Sequence, residues 1–148
     1  MRAFLISAVA LGCSACGSQT QAPVDITSRK VTLPDGTVIT AETRVTPTEQ
    51  AQGLMYRTEL ARDRGMLFLN IQPVTGAYWM KNCNFPLDII FMAPDHRVVE
   101  IATSAPPCAQ EPCPTFGGHA TYQYVLEING GDAAKHGIRE GVVLGFPS

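Results

Sequence analysis

A few polar and aromatic side chains interrupt the apolar runs of this chain, and they are the residues whose types could do chemistry. The stretch GAYWMKNCNFPLDIIFM holds the only tryptophan, Trp79, followed closely by Lys81, Asn82 and Asp88. A second apolar run, TYQYVLEIN, contains Glu127. A strand that serves packing alone is richer in Val, Ile and Thr. These positions therefore define a candidate site.

One chemistry that this set favours is ligand binding. An aromatic ring beside amide and carboxylate groups suits a hydroxyl-rich ligand such as a glycan. The predicted ligand-binding residues are Arg57, Trp79, Lys81, Asn82, Asp88 and Glu127. On this interpretation the protein is a binding or accessory module for a small polar ligand, a glycan or a protein partner in the cell envelope.

Asp88 and Glu127 could instead be the acid/base pair of a hydrolase that acts on an envelope polymer. Two carboxyl groups can flank one glycosidic bond only if they lie within about 10 Å of each other. The chain has no Ser-His-Asp order, no Gly-x-Ser-x-Gly, no His-Glu-x-x-His and no glycine-rich phosphate loop. We therefore favour a binding module over an enzyme, and we predict no cofactor and no metal site.

A third interpretation is purely structural and leaves no ligand site here. Burying an unpaired carboxylate is costly, so each one must reach water, a backbone N–H or a cation such as Lys81 or Arg57. Asp88 would then stabilise the bend at Pro86 through backbone hydrogen bonds, and Glu127 would face solvent.

The composition indicates which elements position these residues. The chain has 148 residues, of which 45% are hydrophobic, enough for one domain with a real core. Its 13 glycines and 11 prolines indicate many turns and short elements. We predict a mainly β, single-domain fold, a jelly-roll-like sandwich or barrel of about eight or nine short strands with two short helices.

Turn and cap signals place the individual elements. A hairpin around Pro34-Asp35-Gly36 opens the domain, and Thr46 and Glu49 form a capping box for a helix that Gly53 ends. Further strands are expected at 65–71, 77–83, 87–92, 97–102 and 121–129 and within 138–146, with a second short helix after Asp132.

The first residues resemble a bacterial lipoprotein signal. Arg2 supplies the positive start, and the apolar stretch 3–11 is too short to span a bilayer. Small residues follow, together with two cysteines. We predict that Cys16 is lipidated, with Cys13 as the alternative, and ordinary secretion without a lipid is a further alternative.

The chain therefore divides into a signal segment (1–15, cleaved before Cys16 or Cys13), a flexible tether (16–28) and a β-domain (29–148). The net charge of -2 and the lack of a basic block argue against nucleic acid as a partner. We expect the protein in the bacterial cell envelope, anchored by its lipid on the periplasmic or outer side of a membrane.

The exported context also predicts the bonding state of the remaining cysteines. Cys108 and Cys113 flank four residues of a Pro/Gly-rich loop, which predicts a local disulfide. A metal clip that adds His119 is the alternative, but oxidising surroundings and the lack of a second cysteine pair argue against it. Cys83 is expected to be a small buried apolar residue, unpaired if Cys16 carries the lipid.

Five short blocks, in this order and at this spacing, resemble the domain-of-unknown-function family 192. They are QGLMYR (52–57), GMLF (65–68), YWMKN (78–82), PLDIIF (86–91) and YVLEIN (124–129). The resemblance runs from about Val45 to Phe146. It implies a small β-barrel, often exported, and it implies no particular activity. Cys83 departs from the family pattern, in which a hydroxyl residue, usually Thr, follows the Asn.

Overall fold

Six strands form one sheet across residues 27–147, the part of the chain that the structure, a computed structural model, describes. The elements in chain order are β1 (Ser28–Thr32), β2 (Val38–Arg44), α1 (Pro47–Gln52), β3 (Arg64–Val74), β4 (Tyr78–Trp79), β5 (Leu87–Met92), β6 (Val98–Ala105), β7 (Thr115–Phe116), β8 (Tyr122–Asn129) and α2 (Asp132–Lys135). The sheet order is β1-β2-β3-β8-β5-β6, and β4 pairs with β7 in a separate two-stranded sheet. The predicted fold class, mainly β in one domain with two short helices, is confirmed.

The signal segment, both candidate lipidation cysteines and most of the tether lie outside the described residues. No helix within residues 27–147 is long and apolar enough to cross a bilayer.

Local sequence signals account for several of these elements. The Thr46 hydroxyl accepts a hydrogen bond from the Glu49 N–H, and the Glu49 carboxylate accepts one from the Thr46 N–H, so the predicted capping box starts α1. Pro47 occupies the first turn, where its missing N–H costs nothing. β5 is buried at all six positions because apolar clusters cover both faces of the sheet.

The connection from β2 to β3 decides where the candidate site lies. β2 and β3 are parallel, whereas the other paired strands are antiparallel. A parallel pair needs a crossover, and here α1 and the loop after it provide the crossover above one face of the sheet. A Cβ placed on Gly53 would lie 3.4 Å from the Phe68 ring, so the end of α1 rests directly on β3.

The two faces of the sheet carry separate apolar clusters. One cluster contains Ile90 and Leu126, and the other contains Ile89 and Val125. Sequence neighbours thus fall on opposite faces, as expected for strands. The second cluster also takes Leu54 from the crossover and is covered by the β4–β7 pair. We call this side the crossover face.

The C-terminal residues join the two edges of the sheet. Thr32 ends the edge strand β1 and pairs with Gly145, and Arg97 precedes the opposite edge strand β6 and pairs with Val143. The sheet must therefore curl until one short segment reaches both edges. The strand predicted within 138–146 is wrong: this described segment forms two isolated bridges instead, because it passes from one edge to the other.

Two further expectations need correction. The strand predicted at 77–83 is limited to Tyr78–Trp79, because the backbone turns at Asn82, whose φ is +55°. The loop predicted at 104–118 contains β7, which is too short to show an alternating pattern.

The predicted disulfide is present. Cys108 and Cys113 are bonded, with an Sγ–Sγ distance of 2.10 Å. The Cys108 N–H donates to the Met80 carbonyl at 3.1 Å, and the Cys108 carbonyl accepts from the Asn82 N–H at 2.8 Å. The disulfide loop is thereby held against the chain beside Trp79. Cys83 is free and buried, as expected.

Candidate functional site

A cleft of about 250 Å³ opens on the crossover face, between the end of α1 and strand β4. Its lining residues come from α1 and the turn after it, from β3 and β8 beneath, and from the segment around β4. They are Gln50, Ala51, Gln52, Gly53, Leu54, Met55, Phe68, Asn70, Ala77, Tyr78, Trp79, Lys81, Cys83, Tyr122 and Glu127.

The β4 wall of the cleft depends on an aromatic cluster. The Tyr78 ring makes edge contacts with Phe68 at 5.3 Å, Phe91 at 5.6 Å and Tyr122 at 6.3 Å between ring centroids. The Tyr122 hydroxyl donates to the Gly76 carbonyl at 2.8 Å, which holds the start of this wall. Such pairs add about 1 kcal/mol each beyond their burial, so they stabilise the position of Tyr78 in this wall.

Trp79 and Lys81 lie at the mouth of the cleft. The Trp79 side chain is 47% exposed, and the Lys81 ammonium lies 5.2 Å from its ring centroid, within the range of a cation–π contact. Lys81 also forms an ion pair with Glu111 on the disulfide loop. The exposed indole therefore presents an aromatic surface at the entrance, beside a cation that already has a partner.

Glu127 is a buried carboxyl group in the lining of the cleft. The residue is only 5% exposed, and no residue within 27–147 donates a hydrogen bond to its side chain. Because no fully enclosed polar side-chain atom of the described chain lacks a partner, the Glu127 oxygens reach the open space of the cleft. Burial penalises the charged form and raises the pKa of Glu127 to about 8. The group is therefore mostly protonated at neutral pH, and it can donate or accept a hydrogen bond from whatever enters the cleft.

Glu127 also acts on its titratable neighbours. Burial raises the pKa of the Cys83 thiol to about 11, with a smaller contribution from the Glu127 charge. The pKa of Tyr78 is raised by burial first, then by Tyr122 and Glu127. The Cys83 thiol is therefore protonated and a poor nucleophile, which argues against covalent catalysis by this cysteine.

Asn82 and Arg57, two predicted site residues, are absent from the described lining of the cleft. The Asn82 amide donates to the Tyr56 hydroxyl at 2.8 Å, and the Tyr56 N–H donates to the Asn82 carbonyl at 2.8 Å. The Arg57 guanidinium makes two bonds of 2.7 Å to the Glu42 carboxylate and, with help from Arg44, lowers the pKa of Glu42 to about 2. Both residues hold the loop behind the cleft in place.

Asp88 lies on the other side of the sheet and is completely buried. One carboxylate oxygen accepts from the Ser104 N–H at 2.7 Å, and the other accepts from the Ala133 N–H at 2.8 Å. The second bond satisfies an N–H group in the first turn of α2. The N-cap residue of this helix is Gly131, which has no side chain that could accept that hydrogen bond. Asp88 thus joins β6 and α2 to β5.

The register separates the two carboxyl groups that the hydrolase hypothesis needs. Asp88 pairs with Ile128, whereas Glu127 pairs with Ile89, so Asp88 and Glu127 project from opposite faces of one sheet. The expectation that Glu127 faces solvent is wrong as well. The backbone hydrogen bonds expected of Asp88 are present, but they reach Ser104 and Ala133 rather than the bend at Pro86.

Of the predicted set, then, the structure brings together Trp79, Lys81 and Glu127. Sequence reasoning missed Tyr78, which is adjacent to Trp79 and could have been found from that position. It also missed Gln50, Gln52 and Asn70, which carry no local signal because nothing in a single sequence shows that α1 crosses above β3. Within the described residues, no three His, Cys, Asp or Glu side chains are grouped to hold a metal ion.

Comparisons with known proteins agree with this fold. A protein of unknown function from Novosphingobium aromaticivorans DSM 12444 has a similar crystal structure, with a TM-score of 0.72 and 40% identity over 84% of this chain and 89% of that one. A Sinorhizobium meliloti 1021 protein, described as a proposed transcription regulator, has a TM-score of 0.70 and 34% identity over 80% and 92% of the two chains. No curated protein matches. The DUF192 family model, described as an uncharacterized ACR, matches residues 30–146. The chain therefore belongs to the domain-of-unknown-function family 192.

Proposed function

We propose that this protein is a binding module of the bacterial cell envelope, exported and anchored by a lipid on Cys16, whose cleft takes a small polar ligand. The observation that carries the proposal is Glu127, a carboxyl group that is 5% exposed, lines the cleft and receives no hydrogen bond from residues 27–147. Its oxygens are not fully enclosed, so they reach the open space of the cleft. A ligand group can replace water there as their hydrogen-bond partner.

The dimensions and lining of the cleft support a small ligand. Its volume of about 250 Å³ is slightly below the range of about 300–1,000 Å³ that is usual for small-molecule sites. The indole of Trp79 at the mouth provides an apolar surface against which a ring or alkyl chain can pack, and Gln50, Gln52 and Asn70 add amide groups. This combination of a few polar groups on an apolar lining is typical of binding sites.

The geometry favours binding over hydrolysis. A hydrolase would need a second carboxyl group beside Glu127, and the candidate, Asp88, lies on the opposite face with both oxygens bonded to backbone amides. No other Asp or Glu lines the cleft among the described residues.

Fluorescence of Trp79 tests the proposal directly, because the chain has one tryptophan and it lies at the mouth of the cleft. The purified protein is titrated with monosaccharides, polyols, amino acids and short alkylamines. We expect at least one class to give a saturable change in emission and a raised Tm. If no class changes either quantity, the binding proposal is wrong.

Two variants show whether such a signal comes from the cleft. Ala51→Phe narrows the opening and should weaken binding at least about tenfold, since the added ring takes up ligand volume. Ala61→Phe is the matched control, an exposed alanine outside the lining. Asp88→Asn should lower the free energy of unfolding by about 2 kcal/mol and leave the titration unchanged. Equal titrations for both phenylalanine variants would place the binding event elsewhere.

A further inference from the structure

We propose that the group held against Glu127 is an ammonium group, so that the ligand of this cleft is a small organic cation such as a primary amine. The inference rests on the proposed function and narrows its ligand class. It follows from three features of the cleft: the charge of its lining, the acceptors that lack a partner and the aromatic rings around them.

The first feature is the distribution of charge. Among the described lining residues, two belong to the charged types Asp, Glu, Lys and Arg, namely Lys81 and Glu127. The charge of Lys81 already has a counter-ion in Glu111. Glu127 is therefore the one group of the lining whose charge, when it forms, has no counter-ion in the described chain. A cation that enters the cleft supplies that counter-ion in surroundings of low dielectric, where the attraction is strong.

The second feature is the hydrogen-bonding capacity. Within residues 27–147, neither the Glu127 carboxyl nor the Tyr78 hydroxyl makes a hydrogen bond, and both residues line the cleft. The Tyr122 hydroxyl, in contrast, is occupied by the Gly76 carbonyl. An ammonium group carries up to three N–H donors and no acceptor, so it matches a carboxylate and a phenol oxygen together.

The third feature is the aromatic lining. Phe68, Tyr78, Trp79 and Tyr122 line the same cleft as the Glu127 carboxyl group. Ring faces attract cations, and the attraction grows when water is excluded. The cleft already shows this chemistry at its mouth, where the Lys81 ammonium lies 5.2 Å from the Trp79 centroid.

Binding of a cation is coupled to proton release. The titratable groups that face Glu127 in the cleft are Tyr78 on β4, Lys81 and Cys83 after it, and Tyr122 on β8. Below pH 8 Lys81 stays charged and the other three stay neutral, so Glu127 alone changes state. Because its pKa is raised to about 8, an entering ammonium at pH 7 displaces close to one proton, which leaves to solvent.

The test compares butylammonium with butan-1-ol, its neutral counterpart of similar size, by calorimetry and Trp79 fluorescence. We expect butylammonium to bind at least about tenfold more tightly at pH 8. Its affinity should rise about tenfold per pH unit from pH 6 to pH 7.5 and level off above pH 8. The reason is that the affinity is proportional to the fraction of Glu127 that is ionised in the free protein. Alkylammonium ions, like Lys, stay charged throughout this range, and butan-1-ol should show no such dependence.

Glu127→Gln keeps the shape and removes the charge. It should weaken butylammonium binding about 10- to 100-fold and weaken butan-1-ol binding much less, because the alcohol loses no ionic partner. If this variant does not fold, proton release by the parent protein decides, measured at pH 7 in buffers of different ionisation enthalpy. No proton release, or equal affinities for the two probes, overturns the ammonium assignment.

The outcomes also separate this inference from the proposed function. If sugars or polyols bind through the cleft and butylammonium does not, the protein is still a binding module but its ligand is neutral. If no compound binds, both proposals are wrong.

Discussion

Asp88 and Glu127 have similar sequence surroundings and different surroundings in space. Each is a carboxylate within an apolar strand, and each is less than about a tenth exposed. Asp88 meets two backbone N–H groups that other elements bring to it, from Ser104 and Ala133. Glu127 meets rings and a thiol that donate nothing to it in the described chain, so burial raises its pKa to about 8. Asp88 is thus explained by stability, whereas for Glu127 we propose a ligand as the partner.

The buried state of Glu127 predicts a loss of stability at alkaline pH. Its pKa rises from about 4.5 when unfolded to about 8 when folded, so the folded state holds one more proton between these values. Stability due to this group is fully present below pH 4.5 and is lost as pH rises through 8. The measured quantity is the free energy of unfolding of the parent minus that of Glu127→Gln. This difference should fall by on the order of 3 kcal/mol from pH 5 to pH 8.

Urea unfolding of both proteins at pH 5, 6, 7 and 8 measures this difference. Groups common to the two chains cancel in the comparison, so the change belongs to position 127. A difference that stays constant across these pH values would mean that Glu127 is charged in the folded protein.

One element that shapes the cleft is the β4–β7 pair, which is only two residues long on each strand. It is held by close packing of the backbone rather than by length. A Cβ on Gly118 would lie 2.5 Å from the Ala77 nitrogen and still closer to the Gly76 carbonyl. Gly118 also has φ +77°, a conformation that disfavours side chains. This glycine lets β7 pass against the wall that carries Tyr78.

Gly118→Ala should therefore disrupt the wall of the cleft. We expect a loss of stability above about 3 kcal/mol, because two backbone segments must separate, and a change in Trp79 emission in the absence of ligand. Gly36→Ala is the matched control: its φ is +86°, but a Cβ there meets nothing within 4 Å. That variant should lose only about 1–2 kcal/mol from backbone strain and keep the parent emission. Similar results for both variants would show that φ, and not the close approach, is what matters.

At the scale of the whole molecule, the C-terminal segment turns an open sheet into a closed one. Its bridges to Thr32 and Arg97 occupy parts of both edges, which would otherwise offer free N–H and C=O groups to other chains. Gly145 exchanges two hydrogen bonds with Thr32, at 2.7 and 3.0 Å. The crossover face, with its cleft, stays on the outside of this closed body.

The proposed anchor makes a prediction at the same scale. In a bacterial host that processes lipoproteins, the parent protein should sediment with membranes, and Cys16→Ser should release it to the soluble exported fraction. Cys13→Ser is the matched control and should stay with membranes. Fractionation with mass spectrometry of the N-terminal peptide measures both. If only Cys13→Ser releases the protein, Cys13 is the lipid site, and if neither variant does, there is no lipid anchor on these residues.

The sequence by itself determined the features that depend on neighbours along the chain. The capping box at Thr46 and Glu49, the apolar run that forms β5 and the short cysteine spacing each encode their structure within a few residues. The blocks of the family pattern likewise indicated the family to which the chain belongs. Trp79 and Glu127 could be singled out as candidates because polar or bulky groups in apolar strands need a local reason.

Only the tertiary structure decided which candidates share a site. Alternation along a strand shows that Glu127 and Val125 lie on one face, but it does not show which elements cover that face. The answer depends on the register of β8 with β5 and on the path of α1 above β3, which are contacts between distant parts of the chain. These contacts gave Asp88 its two amide partners and left Glu127 in the cleft with Trp79. The pairing of the C-terminal segment with both sheet edges is likewise a contact between distant parts of the chain, so the local sequence did not predict it.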